Sequence, residues 1–342
     1  MKILSSIPSN IIFSRISTKK IISYYPKIKD MYINIKKIVK IRLISIQNNS
    51  YKYDLFHPMI GKIICNIYFS GKFEKKIKKI IEKVATRSFL VLQLMQTVIK
   101  IYNPLYITIY YDETKKTFIY GEEKIMSPTN VNSGFTQLIN NGNTIAGPIT
   151  IYRKEELLKV CIHEVLHSAY IDTKNIFSGP HLCSNSVIIY SEAYIEFFAS
   201  FLNILCTFSE KKIKKERRVK LIEREYKWNM YQSAKILSIY DFESFESLFN
   251  NKCRKKVMEK TNSVSYYCIK AAIFHNCHHI LSKFIKKKNN KIILKSNIDT
   301  KEITNNSLSN KIFIRRQNNI IKWISKDKKK RIHKSMRMTL LE

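Results

Sequence analysis

Beyond Pro180 the chain has neither glycine nor proline, since all seven of each lie at or before that residue. These two residues punctuate turns and strands, so their absence leaves the second half with little but helical signals and confines turn-rich structure to the first. No apolar run reaches the eighteen or so residues that a membrane span requires. The opening MKILSSIPSNIIFSRISTKK carries neither a sustained apolar block nor a small-residue cleavage site, so no secretory signal is expected. The seven cysteines are scattered singly, with no framework of spacings, which points to free thiols in a reducing compartment and a cytoplasmic protein. A Gly-rich phosphate loop, the G-x-S-x-G nucleophile pattern and internal repeats are all missing.

Acidic residues are scarce: 26 against 61 lysines and arginines give a net charge of +35. Such an excess invites a nucleic-acid reading, but residues 1–180 carry net +15 and residues 181–342 net +20, so it is not gathered into one arm. The abundance of Ile, Lys, Asn and Tyr is that of an AT-rich coding sequence. A weak, salt-sensitive contact with nucleic acid follows in either case. With 45% hydrophobic residues the chain can build a globular core.

Within the first half, residues 73–102 have helical periodicity. LYITIYYD (105–112) and KTFIYG (116–121) read as two strands around a polar turn. A Gly/Asn/Thr-rich stretch then leads to a short strand, ITIY (149–152). A helix, RKEELLKVCIHEVLHSAY (153–170), is expected directly after it, with Glu155 and Glu156 in the first turn, where they suit the helix dipole. A further helix, 191–208, has Ser191 as its expected cap. The charged stretch 211–228 is followed by helical segments near 230–250 and 262–285, and KDKKKRIHKSMRM reads as a solvated tail. The expected organisation is an N-terminal segment of uncertain structure (1–50), an α+β catalytic region (51–210), a helical region (211–310) and a basic tail (311–342).

The chemistry is concentrated in two short patterns. His163 and His167 stand four apart on one helical face, which lets both imidazoles reach one Zn²⁺, while Glu164 is splayed to the side, where it can reach a water. The flanking Val160, Cys161, Ile162, Val165 and Leu166 are apolar, so three costly side chains sit on a helix that is expected to be buried. Between Val187 and Thr207 the only charged residues are Glu192 and Glu196, again four apart among Tyr194, Ile195, Phe197, Phe198 and Phe201. Like charges at that spacing repel. A cation bound by Glu192, with Glu196 accepting from the outer nitrogen of a ligating histidine, compensates both.

The pattern H163-E164-V165-L166-H167 followed by S191-E192-A193-Y194-I195-E196 resembles that of the gluzincin, thermolysin-like zinc metallopeptidases, H-E-x-x-H on one helix and E-x-x-x-D on a second. The resemblance covers roughly residues 105–208, and ITIYRKEE is similar to that family's edge strand and helix entry. It implies a zincin-like α+β fold with a small mixed sheet, an active-site helix and a mainly helical C-terminal half. It also implies zinc ligands His163, His167 and Glu192, with Glu164 as general base and Glu196 behind a ligand. The spacer from His167 to Glu192 is 24 residues, and Glu196 stands where the family usually has aspartate. Together with the composition, the pattern is similar to that of metallopeptidase-like proteins of large DNA viruses, which would place the chain in host cytoplasm or a virion.

In that family the oxyanion donor, a Tyr or His, comes from the helical half. The candidates are Tyr266, Tyr267 and His275, with Tyr267 preferred. Cys268, His275, Cys277, His278 and His279 lack the paired spacing of a second zinc site, and His181 and Cys183 lie between the motif helices, where they could line the cleft. Residues 130–136 read as an ordinary turn or as a substrate-facing loop, since polar backbone near an edge strand can pair with an extended peptide. The reading is a zinc-dependent metallopeptidase acting on peptide or protein. The alternative is a basic nucleic-acid-binding or virion-associated protein on a zincin scaffold with a non-catalytic metal site.

Overall fold

In the computed structural model, the structure describes residues 7, 15–47, 49–69, 74–97, 104–123, 125–137, 147–169, 178–183, 186–249, 260–288, 291–294, 305–306 and 308–341. The fold is α+β, a mixed six-stranded sheet with helices packed over it. Helix α1 (Arg15–Ile38) precedes a meander of β1 (Lys40–Gln47), β2 (Ser50–His57) and β3 (Gly61–Tyr68). Helix α2 (Glu74–Leu94) carries the chain across to β4 (Leu105–Tyr110), parallel to β3. After the single-turn α3 (Pro128–Val131) come β5 (Gly134–Thr136) and β6 (Ile149–Ile151). The sheet order is β1-β2-β3-β4-β6-β5, so β5 is an edge strand, antiparallel to β6. Ile63, Cys65, Ile67, Leu105, Ile107 and Ile109 are buried, whereas Tyr68, Tyr106 and Tyr110 stand exposed, giving the sheet one covered face.

Helix α4 (Leu157–Ser168) packs against β5 and β6, α2 and the 21-residue α5 (Tyr190–Glu210). All its residues except Leu158 and His167 are buried. Two strands, β7 (Ser178–Cys183) and β8 (Ser186–Ile189), form a hairpin that leads into α5. The second half is helical as its composition predicts: α6 (Lys215–Ile239), a π-helical turn (Ser265–Ile269) continuing into α7 (Lys270–His275), α8 (Cys277–Phe284) and, beyond the hairpin β9 (Ile285–Lys288) and β10 (Lys291–Leu294), α9 (Lys311–Ser325) and α10 (Lys328–Arg331). Among the described residues, no helix is long and apolar enough to cross a membrane.

Several expectations are corrected. Residues 116–121 make no strand, only the isolated bridges Thr117–Ser335 and Tyr120–Glu123. Helix α4 starts at Leu157, and Glu156, instead of serving the dipole in its first turn, adopts a left-handed conformation (φ 60°). Its buried carboxylate holds Lys116 Nζ at 2.8 Å and accepts from Thr339 N at 2.6 Å, contacts that offset the backbone strain. Ser191 lies inside α5, whose capping residue is Ile189. The opening segment contains a 24-residue helix despite Pro26, because Ile21, Tyr24, Tyr25, Ile28, Tyr32 and Ile35 form a buried helical stripe.

The basic tail is solvated only in part: Lys326, Lys329, Lys330 and Lys334 are exposed, but the segments on either side of them are not. Phe313, Ile320, Ile321 and Ile324 of α9 are buried, and residues 334–341 form a strap sunk into the molecule. Phe118 N donates to Lys334 O and Met336 N to Lys116 O. Buried Lys270 donates to Met338 O (2.9 Å), Lys235 to Ser335 O (2.6 Å) and Asn203 to Leu341 O (2.8 Å). A strap whose backbone is held by buried side chains and by neighbouring backbone belongs to the core, whatever its net charge.

Candidate metal centre

Helix α4 presents His163 and His167 one turn apart, and the first turn of α5 brings Glu192 to them from a separate segment. His163 Nε2 and His167 Nε2 are 2.9 Å apart, and Glu192 Oε2 lies 3.6 Å from the first and 3.4 Å from the second. A tetrahedral ion with ligands at about 2.05 Å separates its donor atoms by about 3.3 Å. The three observed separations bracket that value. Glu192 Oε2 is buried and accepts no hydrogen bond, an orphaned oxygen aimed at two imidazoles. Burial alone would raise the Glu192 carboxyl, but the adjacent His167 and His163 outweigh it and hold the group below its ordinary range. Among the described residues this is the one group of His, Cys, Asp and Glu donors close enough to share an ion. The donor set therefore fits Zn²⁺ as three of the four ligands of a tetrahedral ion.

Behind the triad, Glu196 Oε2 lies 2.9 Å from His163 Nδ1. The contact lies within distance but off hydrogen-bond geometry, and a carboxylate so placed favours the proton on Nδ1 and leaves the Nε2 lone pair for the side of Glu192. Glu196 is fully buried, which would push its carboxyl up, yet Lys159 Nζ at 2.5 Å and Lys270 Nζ at 3.2 Å, together with His163, hold it well below the ordinary range. The extra methylene relative to aspartate is thus accommodated, and the longer arm also meets two buried ammonium groups.

Glu164 is buried and accepts a hydrogen bond from Thr136 Oγ1 on β5 at 2.8 Å. Its carboxylate shares a cavity of about 30 Å³ with His163, Glu196, Tyr266, Ser133, Gly134 and Met338. That volume is about the share of one or two waters. Gly134 is a close-approach glycine: a Cβ there would meet Thr150 O at 2.9 Å, Val160 Cγ1 at 3.0 Å and Glu164 Cγ at 3.3 Å. Tyr152 N donates to Ser133 O and Gln137 N to Pro148 O, so alternate residues of β5 bond to β6. The alternation turns the N–H and C=O groups of Gly134 and Thr136 toward the outer edge. Part of the 130–136 segment, expected as a loop, is therefore an edge strand beside Glu164.

The tyrosine expectation is corrected. Tyr267 is buried away from the cavity, and its hydroxyl donates to Met336 O at 2.5 Å. Tyr266 lines the cavity, its ring centroid 6.2 Å from that of His163. Burial first, then Glu192, Glu164 and Glu196, raise its phenol well above the ordinary value, so it stays protonated. Both tyrosines lie in the π-helical turn, a distortion that re-aims successive side chains and is frequent at functional sites. His275 is engaged elsewhere, 2.5 Å from the Tyr226 hydroxyl, and burial lowers its pKa to about 4. The side chains of His181 and Cys183 lie outside the described residues.

Sequence reasoning missed Lys159 and Lys270. Each is a single charge within an apolar helical run, Lys159 one turn before His163 on the same face. A lone cation in such a setting signals a buried anion, and that signal could have found both. No family model, curated protein or solved structure matches the chain.

Proposed function

We propose that the protein is a zinc-dependent metallopeptidase of the gluzincin type, hydrolysing peptide bonds in a peptide or protein substrate. One observation carries the reading: donor atoms from two separate helices, His163, His167 and Glu192, converge at tetrahedral separations beside the buried carboxylate of Glu164. Zinc held by His163, His167 and Glu192 would supply a Lewis acid, which would lower the pKa of a water toward about 7 and polarise a carbonyl. The protein's own groups do the rest. Glu164, fixed by Thr136, takes the proton of the attacking water and returns it to the leaving amine. The Tyr266 hydroxyl donates to the developing oxyanion. The outward backbone groups of Gly134 and Thr136 hold the substrate extended, as an added strand. Glu196 keeps His163 in the ligating tautomer.

A purely structural metal site has little use for a buried carboxylate beside the ligands, which counts against the non-catalytic alternative. Among the described side chains, Cys65, Cys161, Cys206, Cys268 and Cys277 are buried and form no disulfide, which supports a reducing compartment, the cytoplasm of a host cell or a virion. The decisive experiment is metal analysis of the purified protein followed by cleavage of a diverse peptide library with and without a chelator. Close to one zinc per chain and chelator-sensitive cleavage are expected. Glu164→Gln should keep the zinc and lose turnover, and cleavage that survives this substitution would reject the assignment.

A further inference from the structure

The positive charge, even along the sequence, is not even in space. On α1, Lys29, Lys36 and Lys37 share one helical face. On α2, Lys79 and Lys83 are one turn apart. With Lys212 and Arg218, from the turn after α5 and the start of α6, they ring a groove of about 900 Å³ floored by Tyr25, Tyr32, Thr86 and Ser209. A second hollow of about 610 Å³ shares Lys212 and continues along the start of α6, past Lys211, Lys214, Arg217 and Lys220. The two together are lined by 11 basic and 3 acidic side chains, nearly four to one, whereas the chain as a whole has 61 to 26.

Of the three acids, Glu210 contributes least to the groove. Its carboxylate is taken by the buried Arg87 guanidinium at 2.8 Å and the Tyr32 hydroxyl at 2.9 Å, with Lys83 at 3.3 Å. The neighbouring Arg218 is pre-set: its guanidinium carbon lies 4.0 Å from the centroid of the Tyr25 ring, and its Nε donates to Ile213 O at 2.7 Å. Lysines at helix C-termini commonly serve the dipole, which accounts for Lys36, Lys37, Lys211 and Lys212. It does not account for Lys29, Lys79, Lys83 or Arg218, which stand away from any helix C-terminus yet face the same groove.

We infer that this trough binds the phosphate backbone of a single nucleic-acid strand, at a site separate from the metal centre. Glu192 and Glu210 stand near opposite ends of α5, 18 residues apart, or about 27 Å along the helix, so the two sites can be loaded together. The occupant is read from shape and charge. A hollow of about 900 Å³, ringed by side chains of two helices and a turn, has room for a short stretch of one strand and not for a duplex. Its concavity and its single exposed large apolar residue, Ile33, do not suit a flat lipid surface. Tyr25 and Tyr32 are buried, so base stacking is not offered and recognition is independent of sequence.

The test measures anisotropy of a labelled 20-nucleotide oligothymidylate with the full-length protein from 50 to 200 mM salt. With seven phosphates neutralised, log K should fall against log salt with a slope of about −5. Reversing three groove lysines (Lys36→Glu, Lys79→Glu, Lys212→Glu) should weaken binding at least tenfold at 100 mM salt and flatten the slope by about 2. The matched reversal of exposed lysines elsewhere (Lys322→Glu, Lys326→Glu, Lys329→Glu) should weaken it less than threefold. Circular dichroism and zinc content establish that each variant is folded, and the milder Lys→Gln triple in the groove should give an intermediate loss. Equal losses in the groove and control variants would overturn the inference in favour of diffuse charge. Absence of oligonucleotide binding at 50 mM salt, tighter binding to a duplex of equal length, or tighter binding to phosphatidylserine-containing vesicles would overturn it as well. None of these readouts depends on peptidase activity.

Discussion

The adjacent tyrosines offer the sharpest dissection, because a one-residue step along the π-helical turn sends one hydroxyl to the site and the other to the strap. In Tyr267→Phe, the Met336 carbonyl loses its buried 2.5 Å hydrogen bond while the ring packing is kept. Losing one partner of a buried pair costs about 1–3 kcal/mol. At about 2.1 cal/mol/K per residue, unfolding 342 residues carries an entropy of about 0.7 kcal/mol/K. A loss of about 2 kcal/mol therefore lowers Tm by about 3 °C, with kcat unaltered. Tyr266→Phe removes a hydroxyl from the cavity wall beside His163 and Glu164. It should leave Tm within a degree or two and zinc content unchanged, while kcat falls by about 10²–10³ with KM nearly constant, as for loss of one oxyanion donor. Differential scanning fluorimetry, metal analysis and steady-state cleavage of the best library peptide measure all four quantities. If Tyr267→Phe lost turnover and Tyr266→Phe did not, the geometry argued for the site would be wrong.

Other perturbations test separate contacts. His163→Ala or His167→Ala should drop zinc from near one per chain to well below it, as read by metal analysis after gel filtration. Gly134→Ala forces its Cβ against Thr150 O and toward Glu164, so kcat/KM should fall at least tenfold with zinc retained; unchanged kinetics would show that the strand yields freely. Lys235, whose pKa burial lowers to about 7, lies below its unfolded value of about 10.4. The unfolded chain thus binds more protons between those values, and stability from this group rises with pH across pH 7–10, by at most about 1.4 kcal/mol per unit. Denaturant melts should show wild type gaining stability relative to Lys235→Met as pH rises through that window, and parallel curves would refute the lowered pKa.

The parts of the fold and site that could be read early are those set by contacts along one helix. His163, Glu164 and His167 belong to a single turn and its neighbour, and Glu192 and Glu196 to another, so periodicity places each set on a face without knowledge of the rest. The mainly helical character of the second half follows equally from the lack of Gly and Pro, which gave no sign of the hairpins β7–β8 and β9–β10. The tyrosine assignment failed for the complementary reason. Regular helical spacing cannot say which of two adjacent residues faces a cavity when a π-turn rotates the register between them.

The strap is the harder case, because local charge gives the wrong sign of prediction. Residues 326–337 are dense in Lys and Arg, and by composition alone they read as solvated. What buries the segment that follows is a set of side chains more than 60 residues away in sequence. Glu156 receives Thr339 N, Glu225 receives Leu340 N, and Lys270 and Tyr267 hold the carbonyls of Met338 and Met336. Of those four only Lys270 reads as an unexplained polar residue on an apolar helix; Glu156, Glu225 and Tyr267 each have an ordinary local reading that hides the contact. Their common partner is backbone, which has no sequence signature, so the pairing is visible only once the helices are assembled. The same assembly seats Met338 on the cavity wall, where its sulfur accepts from Lys159 Nζ at 3.3 Å. A segment that looks like surplus charge is thereby tied to the walls of the site, and a truncation that removed it would reach the centre through Glu156 and Lys159 before it changed solubility.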